Sequence, residues 1–173
     1  MIYFHEDDLL IRPMIERDIQ QFASAFSQQG WHKPVELYED YYQQQNDHKI
    51  IVLVAEINHE AAGYAILLPS ADKGPFAIEN LPELVDLNVF RKFQNKGIGS
   101  KIMDAAESLS KEKHDFITLA VGLHSGYGAA QRMYIKRGYI PDGTGVWYRG
   151  QQAEQYSACE NDDDLILYLY KEL

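Results

Sequence analysis

The residues whose types and spacing could do chemistry concentrate between Glu83 and Lys101. Val85-Asp-Leu-Asn-Val-Phe-Arg-Lys-Phe-Gln-Asn-Lys-Gly-Ile-Gly-Ser-Lys101 reads as a strand that passes through a short turn into an amphipathic helix. Gly97 and Gly99 let backbone amides approach a ligand closely, and the N–H groups at a helix start favour an anion. Residues 91–101 contain Arg91, Lys92, Lys96 and Lys101 and no acid. Two phosphate loops fail against this segment. A dinucleotide loop needs glycine where Ile102 stands, and a nucleoside-triphosphate loop needs Gly-Lys-Ser/Thr where Gly99-Ser100-Lys101 stands. What remains is an anion cradle of neither kind, or an ordinary glycine turn with a solvated basic face. Glu83 and Asp86 add two carboxylates to the strand, on opposite faces if alternation holds and no bulge intervenes. Elsewhere, His124 stands at a strand end, as a base or a structural histidine. Asp162-Asp163-Asp164 form a loop that is either solvated or suited to a cation.

The elements that must position these groups alternate between strand and helix, which favours an α/β class, or α+β in some schemes. Residues 9–12 read as a first strand ended by Pro13. Ile15, Ile19, Phe22, Ala23 and Phe26 recur at helical spacing, and residues 35–45 give a second, more polar helix. Residues 50–57 and 61–68 are apolar runs of strand length joined by Asn58-His59-Glu60, a hairpin. Three prolines and a glycine make residues 69–82 a loop that leads into a strand over 83–90. The next helix starts at Gly97 and puts Ile98, Ile102, Ala105, Ala106 and Leu109 on one face. A strand over 116–122, a helix over 128–137 stopped by Gly138, and strands over 147–149 and 164–170 complete the order.

Composition bounds the function classes. The chain has 173 residues, 46% of them hydrophobic, enough for one domain over residues 1–173 with a single core. Sixteen Lys and Arg against 26 Asp and Glu leave a formal charge of −10, which argues against nucleic acid and favours cationic partners. One cysteine, Cys159, excludes an intrachain disulfide and a multi-thiolate metal site, so no metal is expected. Residues 1–8 carry neither a basic nor an apolar leader pattern, and no apolar run approaches the ~20 residues that span a bilayer. A cytoplasmic protein with no membrane partner is expected.

At Gln94-Asn-Lys-Gly97-Ile-Gly99 the chain resembles the GNAT superfamily of N-acetyltransferases. That family carries Gln/Arg-x-x-Gly-x-Gly/Ala at the start of its central helix, five residues after an apolar strand residue, here Val89. Its second landmark, Ala-x-x-x-Tyr-x-x-x-Gly-Phe/Tyr, is similar to Ala130-Gln-Arg-Met-Tyr134-Ile-Lys-Arg-Gly138-Tyr139. The resemblance implies the acyl-CoA N-acyltransferase fold of a single-domain, bacterial-type member, a mixed, mostly antiparallel sheet of about six or seven strands with helices on both faces. It implies acetyl-CoA as cosubstrate in a splay between two parallel strands, with the pyrophosphate on backbone amides of residues 94–99. The cofactor-binding set is then Leu87, Asn88, Val89, Gln94, Asn95, Lys96, Gly97, Ile98, Gly99 and Ser100, with Leu87 and Val89 offering main-chain bonds to the pantetheine arm.

The resemblance also assigns acid and base. Acyl transfer to an amine needs a neutral nitrogen, a stabilised oxyanion and a proton for the departing thiolate. Tyr134 stands where the family's tyrosine donates that proton, and Glu83 lies six residues before Val89, where some members place a glutamate base. Asp86 and solvent are the rivals of Glu83. One departure is Tyr127, which stands where members often carry a cofactor-contacting Asn. Acceptors in the family range over protein N-termini, lysines, aminoglycosides and polyamines. The acidic balance favours a small cationic amine, a peptide or protein acceptor stays open, and a domain that binds acetyl-CoA as a sensor without transferring is a third reading. Trp31, His32, Tyr38, Tyr41 and Tyr42 form either an aromatic lip over the acceptor or packing. A homodimer follows from family analogy alone.

Overall fold

Strands β3 (Ile51–Ile57) and β4 (Glu60–Leu68) form the expected hairpin, with Ile51 opposite Leu67 and Ile57 opposite Glu60. Their apolar residues are buried almost throughout, as two-sided burial of a central strand requires. A computed structural model describes residues 1–173. Besides this pair it contains β1 (Phe4–Glu6), β2 (Leu9–Arg12), β5 (Glu83–Val89), β6 (Phe116–Gly122), β7 (Ile140–Tyr148), β8 (Gln151–Gln152) and β9 (Leu165–Glu172). The helices are α1 (Glu16–Gln28), α2 (Val35–Asn46), α3 (Ile98–Lys111) and α4 (Gly128–Lys136). No helix is long and apolar enough to cross a membrane.

The strands are hydrogen-bonded in the order β1-β2-β3-β4-β5-β6-β9-β7-β8. Nine strands replace the six or seven expected, because two short edge pieces, β1 and β8, carry too few residues to show a period. The β1–β2, β2–β3, β3–β4, β6–β9, β7–β8 and β7–β9 ladders are antiparallel, whereas β5 and β6 pair in parallel, with Glu83 opposite Thr118 and Leu84 opposite Leu119. β7 begins seven residues before the strand expected at 147–149. Gly143 and Gly145, at φ 90° and 81°, break its register against β9 between Pro141 and Val146, so the sequence there reads as a turn.

Contacts divide the chain into two compact units, residues 1–69 with 85–109, and residues 70–84 with 110–173. In the first, Phe22, Phe26, Tyr38, Tyr64 and Phe90 form an aromatic core, with Phe22 stacked on Tyr64 at 4.5 Å between centroids. A buried guanidinium ties α1 to the sheet. Arg12 donates to both oxygens of Asp18 at 2.6 and 2.9 Å and through Nε to Glu56 at 2.7 Å. Asp18 also accepts the Ile15 N–H at 2.8 Å, which satisfies an amide at the helix start. In the second unit, Phe76 and Tyr168 pack edge to face at 6.0 Å, with Ala71, Leu81 and Trp147 around them.

Candidate active site

In the first unit, β5 ends at Val89 and the chain turns through a 3-10 segment at Arg91–Phe93 into the loop that starts α3. Asn95 and Gly97 have φ of 61° and 77°, the left-handed conformations that coil the loop in front of the helix. The first α-helical bond of this turn runs from Lys101 N–H to Gly97 C=O at 3.1 Å, so the amides of Ile98 and Gly99 precede the helical ladder. A Cβ built on Gly97 meets no protein atom within 4 Å. Glycine there serves the backbone, and the space beside it is open to an anionic ligand. The residues thus fit the pyrophosphate of acetyl-CoA.

The basic residues around the loop are less free than the sequence suggests. Lys92 pairs with Glu60 at 2.6 Å and Lys101 with Glu6 at 2.6 Å. Arg91 lies over the Trp31 ring at 5.5 Å, and Lys96 over Phe93 at 5.6 Å. Gln94 donates its side-chain amide to the Val89 carbonyl at 3.0 Å, which leaves that oxygen one further lone pair. The Asn88 side chain is turned onto Asp86 at 2.7 Å. Gly63 on β4 lets the two strands close there, since a Cβ would stand 2.5 Å from the Asn88 carbonyl oxygen.

Asp86 meets the exception that the alternation argument allowed. Its φ of 50° interrupts the strand, so the faces of residues before and after it do not follow simple parity. Its carboxylate accepts from Tyr64 OH at 2.8 Å, Tyr41 OH at 3.1 Å and Lys33 Nζ at 3.1 Å, as well as from Asn88. Burial, then the charge of Asp86, pushes the Tyr64 and Tyr41 hydroxyls far above the usual phenol range. Both therefore remain donors. Lys33 and Tyr64 carried no sequence signal for this role, because their meeting with Asp86 depends on the kink.

In the second unit, Glu83 opens β5 with 2% of its surface exposed. Its Oε2 is buried without a hydrogen-bond partner. Desolvation, with a smaller push from Asp72, raises its pKa from 4.5 to about 7, against a pull from Lys73. Tyr134 on α4 is 7% exposed, packs on Tyr139 at 5.9 Å and is pushed by burial up to about 12, so it holds its proton. A cavity of about 350 Å³ in the same unit is lined by Phe76, Phe116 and Tyr170 with Glu79 and Asp142. Glu83 and Tyr170 both stand opposite Thr118 in their ladders, which puts their side chains on one face of the strands.

Three other sequence candidates find structural partners. The Gly126 N–H donates to His124 Nδ1 at 3.0 Å, so neutral His124 carries its proton on Nε2 and donates it to Asp163 at 2.9 Å. Tyr127 donates to the same Asp163 oxygen at 2.9 Å, and the two bonds hold that carboxyl below the usual range. Asp162 caps the Asp164 N–H at 3.0 Å and lies 3.7 Å from Arg149. The triplet is thereby engaged, Asp163 by His124 and Tyr127 and Asp162 by its own loop and Arg149. Of the aromatic residues read as either a lip or packing, Tyr38 packs in the core and Trp31 stacks on Phe26 at 6.1 Å.

The model of the acetyltransferase (GNAT) family matches residues 16–139. The chain belongs to the GNAT family. It is accordingly an acetyl-CoA-dependent N-acetyltransferase, with acetyl-CoA as cosubstrate. Solved structures share the fold at low identity. An acetyltransferase from Salmonella typhimurium that modifies the N-terminal serine of ribosomal protein L7/L12 aligns at a TM-score of 0.73 and 11% identity, over 100% of this chain and 99% of that one. A spermidine N-acetyltransferase chimera with a Vibrio cholerae parent gives 0.69 and 15%, over 96% of each chain. A GNAT acetyltransferase from Elizabethkingia anophelis with acetyl-CoA bound gives 0.62 and 20%, over 97% and 100%. No curated protein sequence matches the chain.

Proposed function

We propose that this GNAT enzyme acetylates a small cationic amine, with Glu83 taking the ammonium proton and Tyr134 giving a proton to the departing thiolate. The observation that carries the reading is Glu83: a buried carboxylate, unpartnered at Oε2, whose pKa burial raises to about 7, near where a general base works best. Acetyl-CoA supplies an acyl group activated as a thioester. The loop 94–99 and the backbone of Leu87, Asn88 and Val89 bind it, with Ser100 in the first turn of α3. Tyr134, kept protonated by burial, donates to sulfur and regains a proton from the attacking nitrogen, which gives up its second proton as the amide forms.

The acceptor class rests on charge and shape. Glu79 and Asp142 give the cavity of about 350 Å³ a negative wall, and Phe76, Phe116 and Tyr170 give it rings that an alkylammonium can lie against. The net charge of −10 favours a cation at longer range. A peptide acceptor is the second reading, since the Salmonella typhimurium neighbour modifies a protein N-terminus. Thiol release from acetyl-CoA, followed across polyamines, aminoglycosides, amino acids and short peptides, tests the choice. Small cationic amines are expected to react with the highest kcat/KM; faster reaction of peptides overturns the small-amine reading.

A further inference from the structure

Asp86 is a carboxylate in a conformation that a plain strand does not provide. A non-glycine residue keeps φ of 50° inside a strand only where its surroundings enforce it. Here the enforcement comes from the donors on its two oxygens. Tyr64 and Tyr41 bond Oδ2 at 2.8 and 3.1 Å, and Asn88 bonds Oδ1 at 2.7 Å. All three donors are neutral.

The fourth donor is of another kind. Lys33 reaches Oδ1 at 3.1 Å from the segment 31–34 between α1 and α2, which follows Gly30 at φ 80°. Its ammonium also lies 3.4 Å from the Tyr64 hydroxyl oxygen and 4.4 Å from the centroid of the Phe26 ring. A carboxylate, a phenol oxygen and an aromatic face around one –NH₃⁺ are the elements of an alkylammonium cage. Because Tyr64, Tyr41 and Asn88 hold the carboxylate independently of Lys33, the cage keeps its shape when the cation exchanges. The side chains of Lys33 and Asp86 are 29% and 22% exposed, so the exchange is open to solvent.

We propose that the Phe26, Tyr64 and Asp86 cage binds a primary ammonium group of the acceptor, and that Lys33 is its built-in occupant when no acceptor is bound. This rests on the acetyl-transfer reading, in which the main chain of Leu87 and Val89 would hold the pantetheine arm; Asp86 adjoins Leu87 in the same strand. Lys33 then competes with the acceptor. A tethered ion pair that is partly exposed is worth little, so its removal strengthens binding by roughly three- to tenfold.

The test is an NMR titration of the full chain with n-butylamine, with n-butanol as the neutral control, in the absence of acetyl-CoA. Lys33→Met is expected to bind butylammonium about three- to tenfold more tightly than the unmodified chain, and Lys33→Arg to show no gain. Asp86→Asn is expected to lose about tenfold or more, and Tyr64→Phe, which keeps the buried ring, to lose several-fold. Butanol binding is expected to be the same in all. Equal butylammonium affinity in Lys33→Met and Lys33→Arg, or unaltered affinity in Tyr64→Phe and Asp86→Asn, overturns the cage. The transfer reading fails separately: the expected binding pattern without thiol release in any amine assay supports the cage and counts against acetyl transfer.

Discussion

Glu83 shows how burial turns an ordinary side chain into a candidate base. Its pKa rises from 4.5 to about 7 because the charged form is desolvated, so it protonates in the range where the enzyme must work. A base acts when deprotonated. Turnover should therefore rise with pH up to about 7 and level above it, and Glu83→Gln should lose that limb and about 10²-fold in rate. The same shift has a stability consequence of opposite sense. Below pH 4.5 both folded and unfolded chains hold the proton; between 4.5 and about 7 only the folded chain does, so stability falls as pH rises. At neutral pH the penalty approaches about 3 kcal/mol, and Glu83→Gln should resist urea better than the unmodified chain by up to that amount. An unshifted acidic limb together with unchanged urea stability excludes Glu83 as the base. The family resemblance nominates Glu83 by its place six residues before Val89, but its isolation depends on what packs around it.

At the scale of elements, the strand, turn and helix at 83–111 were readable because each carries its own period and the glycines mark the join. Gly97 is the element's most specific position. Its φ of 77° costs an L side chain about 1 kcal/mol or more, yet a Cβ there meets nothing, so a loss in Gly97→Ala reports the loop's conformation and the ligand's approach. Acetyl-CoA affinity should fall roughly tenfold in calorimetry, and an unchanged Kd would remove the loop from the cofactor site. The kink at Asp86 was beyond the sequence. Nothing in Val85-Asp86-Leu87 requires a left-handed residue; the requirement comes from Tyr41 and Tyr64, far away in the chain, whose buried hydroxyls need an acceptor. β7 was half missed for a related reason, since its Gly143 and Gly145 look like a turn and become a strand only by pairing with β9.

For the whole molecule, the charge of −10 is distributed with a purpose that composition alone does not reveal. Two of the four basic residues near the anion loop are already paired, Lys92 with Glu60 and Lys101 with Glu6, so the proposed pyrophosphate site rests on backbone amides, as the sequence reading had it. The acidic surplus is partly spent in internal contacts, Asp163 on His124 and Tyr127, and Asp162 near Arg149. Glu79 and Asp142 line the cavity proposed for the acceptor. The central claim is that these parts perform transfer rather than mere binding. Its most direct test is to measure CoA thiol and acetamide together, with acetyl-CoA and a small diamine, for the unmodified chain and Tyr134→Phe. The account predicts equal amounts of thiol and acetamide from the unmodified chain and a rate about 10²-fold lower in Tyr134→Phe. Acetyl-CoA bound by the folded chain with no thiol released, or full-rate transfer by Tyr134→Phe with chemistry rate-limiting, would contradict it.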